Sequence, residues 1–253
     1  LWYSCIAKYG NFIWNKFACT TGREKCDEVT MKIVSFTMVN NESEIIESFV
    51  RYNYNFIDEM VIIDNGCTDS TIKIIRKLIA EGFRITVYDE SLEAYNQYRL
   101  DNKYLNKIIN EIKPDWILPL DADEFLTGED NPREIIEKLP LDSVYYVTWR
   151  WYVMTKYDNE NEAFIPKKMQ YCLTRPAWNY SDGTPVTKSI IPAAYYKKMG
   201  LTLSMGHHTV FGNDRVKITR LDNLQFAHYR AISERQLIYK TCCYTMRDIA
   251  TME

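Results

Sequence analysis

Met60-Val61-Ile62-Ile63-Asp64-Asn65-Gly66-Cys67-Thr68-Asp69-Ser70-Thr71 carries three kinds of local structure in one short run. A brief apolar stretch reads as a buried strand, and the Asp, Asn, Gly and Thr after it are turn chemistry. Ile72, Ile75, Leu78 and Ile79 then recur at helical spacing. The unit repeats on both sides. Upstream, Met31 to Thr37 reads as a buried strand, and Asn41 with Glu44 predicts a helix start ahead of Ile45, Ile46, Phe49 and Val50. Downstream, Gly82 is a stop signal, and Phe83 to Tyr88 predicts a third strand. A helix over about 94–112 follows, then the breaker Pro114, then Trp116 to Leu120 running into Asp121-Ala122-Asp123. Alternating short strands and amphipathic helices predict an α/β domain, a doubly wound, mostly parallel but mixed sheet flanked by helices. Ligands of such sheets bind beyond the carboxyl ends of the strands, where both acidic turns fall.

The second half has another rhythm. From Tyr145 to Val153 the odd positions are apolar or aromatic while Thr148 and Arg150 interrupt the even ones, which predicts a strand added antiparallel to the sheet. Trp149 and Trp151 share its apolar face and read as core, with Tyr146 and Tyr152 on the opposite face. Lys156 to Pro192 reads only as loops around Pro166, Pro176 and Pro185. Ser233 and Gln236 form a capping box ahead of a last helix. Residues 1–30, rich in aromatics and cysteine but without a period, read as an N-terminal extension. Residues 31–253 read as one domain of two halves, 31–126 and 127–253.

Charged residues make up 26% of the 253 and nearly cancel at a formal net charge of -3, which disfavours nucleic acid as a partner. No apolar run is long enough to span a membrane. Seven scattered cysteines, with no C-x-x-C pair, suggest no zinc site and make reduced thiols the default, with a lumenal location and one or two disulfides as the alternative that spacing leaves open. The location expected is cytoplasmic, with room for peripheral attachment to a membrane.

Asp121 and Asp123 lie two apart after an apolar strand, so extended backbone would send both carboxylates to one side, where they can share a cation. Oxygen ligands favour a hard ion, Mn²⁺ or Mg²⁺, that completes its shell with water and phosphate. The bland alternative is a turn or helix cap, as common as the functional reading for an isolated D-x-D.

Position favours function. Thr37-Met38-Val39-Asn40-Asn41-Glu42 follows the first strand, Asp64-Asn65-Gly66-Cys67-Thr68-Asp69 the second, and Asp121-Ala122-Asp123-Glu124-Phe125 a later one. In this order the chain resembles family 2 glycosyltransferases, particularly bacterial relatives with a D-A-D-E-F signature. The resemblance implies the GT-A nucleotide-sugar fold, with 31–126 as the nucleotide-sugar-binding half and 127–253 as the acceptor-side half, inversion at the anomeric carbon, and a donor whose base and ribose are bordered by Thr37, Asn40, Glu42 and Asp64. It ranks UDP ahead of GDP or dTDP, with a glycan, lipid-linked or other hydroxyl as acceptor, for whose contact Tyr146 and Tyr152 are the candidates.

Asp121 and Arg99 join the donor-binding set, the guanidinium suiting phosphate oxygens. Asp69 fits helix capping better. His207 is the third metal ligand favoured, with His208 or His228 as substitutes. The base that takes the acceptor proton is expected to be Asp182, with Glu124 behind it. A sugar-phosphate nucleotidyltransferase would need a Gly-rich basic loop after the first strand, and Thr37 to Glu42 has neither Gly nor Lys. A dehydrogenase fails for want of G-x-G-x-x-G. A non-catalytic nucleotide-sugar-binding domain is the remaining rival.

Overall fold

In the computed structural model, which describes residues 3–4, 31–175, 178–181 and 183–250, the predicted alternation is a sheet with helices against it. The first half runs β2 (Ile33–Val39), α1 (Ile46–Asn53), β3 (Glu59–Asp64), α2 (Thr71–Ala80), β4 (Ile85–Asp89), α3 (Gln97–Glu111) and β5 (Trp116–Pro119). The second half adds β6 (Glu124–Gly128), α4 (Pro132–Glu137), β7 (Val144–Trp151), α5 (Ile165–Lys168), β8 (Tyr171–Cys172), β9 (Thr187–Pro192) and α6 (Ala193–Met199). It closes with β10 (Thr202–Leu203), a single turn of 3₁₀ helix at Met205–His207, β11 (Val210–Phe211), β12 (Ile218–His228) and α7 (Glu234–Ala250).

Eight strands form the main sheet in the order β4-β3-β2-β5-β9-β7-β12-β6. β2, β3, β4 and β5 are mutually parallel, β9 is antiparallel to β5 and to β7, and β12 is parallel to β7 but antiparallel to β6. The sheet is therefore mixed, as expected, but β7 is not the antiparallel addition: it runs in the direction of β5, and the reversed strands are β9 and β6. The strands read as unbroken apolar runs because both faces are covered. Ile62 and Leu118 pack into the cluster on one face, and Val61, Ile63 and Ile117 into the cluster on the other.

Of the expected extension over residues 1–30, only β1 (Tyr3–Ser4) is among the described residues, paired antiparallel with β8. Cys172 is disulfide-bonded, so the reduced-thiol reading fails there and the cytoplasmic location loses that argument, while Cys67, Cys242 and Cys243 are free. No helix among the described residues is long and apolar enough to cross a membrane.

Two local readings change. Asn41 does not cap α1, which starts at Ile46 with no side-chain cap. Its φ of 57° turns the side chain across to the loop after β3, where Oδ1 accepts from the Thr68 and Asp69 amides at 2.7 and 3.1 Å. Asp121-Ala122-Asp123 is not extended either, since β5 ends at Pro119 and the Glu124 amide donates to the Asp121 carbonyl at 3.0 Å, closing a turn.

Candidate active site

Because the acidic run is a turn, its two aspartates go to different partners. Asp121 Oδ2 lies 2.7 Å from Lys188 Nζ, and its Oδ1 accepts from Gln97 Nε2 at 3.3 Å with His207 Nδ1 at 3.6 Å. Asp123 Oδ2 lies 2.8 Å from Lys240 Nζ, and its Oδ1 is 3.3 Å from His228 Nε2. β9 supplies Lys188, α3 supplies Gln97, α7 supplies Lys240, and the end of β12 supplies His228. Burial alone would raise the Asp121 carboxyl, but the Lys188 ammonium and His207 outweigh it and bring it down to about 2. Asp123 is held well below the usual carboxylate range because Lys240 and His228 likewise outweigh burial.

Glu124 is fully buried. Its Oε1 pairs with Lys188 at 2.7 Å and its Oε2 accepts from the Asp121 amide at 3.1 Å, so this carboxylate pins the turn and does not face an acceptor. Burial raises it despite Lys188. Asp182 lies outside the described residues.

The donor-side residues form two loops. Asn40 Nδ2 donates to the Asn65 carbonyl at 2.6 Å, and Asn40 Oδ1 accepts from the Tyr239 hydroxyl at 2.7 Å. Glu42 accepts from Gln236 Nε2 at 3.0 Å and pairs with Lys240 at 3.3 Å, so α7 crosses this loop. Burial pushes Glu42 up to about 7, with Lys240 opposing and Asp123 adding. Thr37 is buried within β2. Asp64 accepts from the Cys67 amide at 2.8 Å, the turn-residue role. Asp69 accepts from Thr71 and from the Ser43 amide, close to the capping role read for it. Arg99 pairs with Glu93 on the exposed start of α3.

The histidines separate. His207 Nε2 meets Asp101 Oδ2 at 2.8 Å, and both side chains are buried, which raises the imidazole against the effect of burial. His208 Nδ1 faces the Thr187 carbonyl at 2.9 Å, and burial with Lys188 takes it down to about 4. His228 alone meets Asp123. Among the described residues no three His, Cys, Asp or Glu side chains converge as a cation site. One carboxylate oxygen and one imidazole nitrogen, Asp123 with His228, nevertheless fit part of the shell of Mn²⁺ or Mg²⁺, which leaves the remaining positions to water and phosphate.

Tyr146 is buried against Thr209, and Tyr152 stacks on Tyr229 at 4.7 Å, so both tyrosines are structural. The aromatic face toward the site belongs to the tryptophans instead. Trp149 lies flat on His228, 4.7 Å between centroids at 9°, and under Lys188 at 5.0 Å. Lys188, Lys240 and the Asp101–His207 pair had no place in the sequence reading. The available signals were a lysine inside the apolar run Thr187 to Ile191, and Gln236 and Lys240 one helical turn apart.

The sequence profile described as Glycosyl transferase family 2 matches residues 38–200. Uncharacterized glycosyltransferases of Rickettsia bellii (strain RML369-C) and Rickettsia conorii (strain ATCC VR-613 / Malish 7) are 28% and 25% identical to the chain over 140 residues. That stretch is 54% of this chain and 44% and 46% of theirs, so the chain spans less than half the length of the curated relatives it matches. Among solved structures, mannosyltransferase PcManGT from Pyrobaculum calidifontis, in complex with GDP-Man and Mn²⁺, aligns over 74% of this chain and 56% of that one, with 12% identity and a TM-score of 0.44. Glucosyl-3-phosphoglycerate synthase from Mycobacterium tuberculosis, in complex with Mn²⁺, UDP and phosphoglyceric acid, aligns over 47% and 43%, with 17% identity and a TM-score of 0.34.

Proposed function

The chain belongs to glycosyl transferase family 2, and we propose that it moves a sugar from a nucleoside-diphosphate donor, UDP first, to an acceptor hydroxyl with inversion at the anomeric carbon. The observation that carries the reading is the acidic turn at the carboxyl end of β5, whose Asp123 meets His228 at 3.3 Å beside the loops bearing Asn40, Glu42 and Asp64. Asp123 and His228 would hold a divalent cation, with Asp121 beside them, and that ion when bound would neutralise charge on the departing diphosphate.

The chain's own residues do the rest. Glu124 and Lys188 brace the turn from beneath. Lys240 carries a second positive charge to the same edge, on a helix whose Gln236 and Tyr239 anchor it to the donor loops. The hydroxyl proton needs a carboxylate on the acceptor side, and Asp182, four residues beyond Trp178, is assigned that role on its sequence position. The acceptor itself is a hydroxyl on a glycan or lipid-linked sugar.

The engagement of both aspartates by lysines favours one second reading, a domain that binds the donor without transferring it. One experiment separates the two: thermal shift with UDP, GDP and dTDP, each with Mn²⁺ or EDTA, beside hydrolysis of the matching sugar donor. A manganese-dependent shift and turnover, both lost in Asp123→Ala, are the expected result. A shift without turnover supports the binding domain, and no shift with any diphosphate or intact donor overturns both.

A further inference from the structure

Three indoles meet beside the acidic turn, with centroids 6.0 Å apart for Trp149 and Trp151, 5.3 Å for Trp151 and Trp178, and 6.2 Å for Trp149 and Trp178. Trp149 continues this wall to the His228 imidazole and so to Asp123. Trp178, at the outer end, is 51% exposed, and the indole Nε1 atoms of Trp149 and Trp151 are buried with no hydrogen-bond partner. The Arg230 guanidinium lies over two of the rings, 5.2 Å from the Trp151 centroid and 5.5 Å from that of Trp178. No carboxylate among the described residues pairs with it. Its charge rests on ring faces, which hold the cation but leave its in-plane N–H groups free.

We propose that this wall is the acceptor subsite and that it takes a saccharide ring bearing a carboxylate or phosphate. An indole face covers the C–H face of a sugar, and a planar guanidinium presents paired donors to an oxyanion. The wall starts at the imidazole paired with Asp123, so a ring seated on Trp178 or Trp151 lies on the aromatic surface that leads to the acidic turn. The proposal rests on the transfer reading, since only transfer needs an acceptor there.

The test is a tryptophan-fluorescence titration of the full chain with glucuronic acid, glucose 6-phosphate and glucose, beside the nucleotide thermal shift. Saturable quenching by at least one acidic sugar, about tenfold tighter than by glucose, is expected. Arg230→Met removes that preference but keeps the weak response to glucose. Trp178→Ala weakens both, and neither variant alters the nucleotide shift. Binding of glucuronic acid alone identifies a uronic acid, and binding of glucose 6-phosphate alone identifies a sugar phosphate. Equal affinity for all three sugars, no response to any, or a preference that survives in Arg230→Met overturns the subsite. A nucleotide shift without a sugar response leaves the transfer reading standing; absence of the nucleotide shift defeats that reading whichever sugar binds.

Discussion

Replacing Lys188 by methionine tests the account of the turn most directly. The lysine side chain is 1% exposed and holds two carboxylates at 2.7 Å, of which Glu124 is wholly buried while a third of Asp121 still faces solvent. Methionine keeps most of the stem's volume, so the cavity contribution is small and the loss is one of charge. Breaking a buried pair from one side costs about 3–5 kcal/mol, because the partner is left uncompensated in a medium that solvates it poorly. Most of that penalty belongs to Glu124, since Asp121 keeps Gln97 and water. For a chain of this size each kcal/mol moves the melting temperature by about 2–4 °C, so Lys188→Met is expected to melt roughly 6–20 °C lower. Adding Glu124→Gln removes the orphaned charge, and the double variant is expected to recover at least half of the loss. Calorimetry on the wild type, both single variants and the double variant gives the cycle. A loss below about 1 kcal/mol in Lys188→Met, or a double variant no more stable than the single, would refute the reasoning.

His228→Ala is expected to raise by at least about tenfold the Mn²⁺ concentration that half-saturates the nucleotide-dependent thermal shift, whereas His207→Ala, whose ring is tied to Asp101, leaves it unchanged; equal effects would reject the assignment. Asn53→Leu is expected to cost about 2–4 kcal/mol in urea unfolding, because this buried amide donates to the Glu124 and Phe49 carbonyls and accepts from the Leu126 amide. Asp69 is lowered: burial opposes this, but hydrogen bonds from Ser43 and Thr71 outweigh it, so its share of stability is present above the ordinary value of 3.8 and is lost as pH falls through the lowered one. Asp69→Asn is therefore expected to destabilise most at pH 7 and progressively less as pH falls below 3.8, and a loss that does not shrink with falling pH would count against a charge effect.

The parallel half of the sheet was legible because β2, β3 and β5 are buried on both faces and read as unbroken apolar runs, while α2 and α3 show a clean helical stripe. β9 was not. Thr187-Lys188-Ser189 interrupts its apolar pattern, and a lysine belongs inside a sheet only if carboxylates come to it, here from Asp121 and Glu124 far away in sequence. The same distance hid the site's wiring. Asp121 and Asp123 stood out as metal-binding chemistry after a strand, but which histidine and which lysine each would meet depended on β12 and α7 folding back over the turn. The apolar face of β7 was read as core and its other face as the contact surface. The first part holds, since Trp149 is buried in the core cluster even as it stacks on a site histidine, whereas Tyr146 and Tyr152 pack against Thr209 and Tyr229.

The charges gathered at the turn bear on how an anionic donor enters. Glu42, Asp101, Asp121, Asp123 and Glu124 are joined there by two ammonium groups, Lys188 and Lys240, and by the imidazoles of His207 and His228. The carboxyls outnumber the lysines, but burial raises Glu42, Asp101 and Glu124, which leaves Asp121 and Asp123 as the two held in the charged form. On the proposed function, a nucleoside diphosphate approaching alone would face the charged Asp121 and Asp123, with Lys188 sealed beneath the turn and Lys240 already shared between Asp123 and Glu42. Its phosphates gain from Lys240 only if something else takes over Asp123. A divalent ion would do so: Asp123 and His228 would hold it, and Lys240 would then be available to the phosphates. The lysine contacts are on this argument a stand-by arrangement that balances the carboxylates without the ion. Lys240→Met consequently separates two cases: if the lysine merely blocks the site, its loss strengthens donor binding, and if it is handed on to the phosphates, its loss weakens donor binding while Mn²⁺ is saturating.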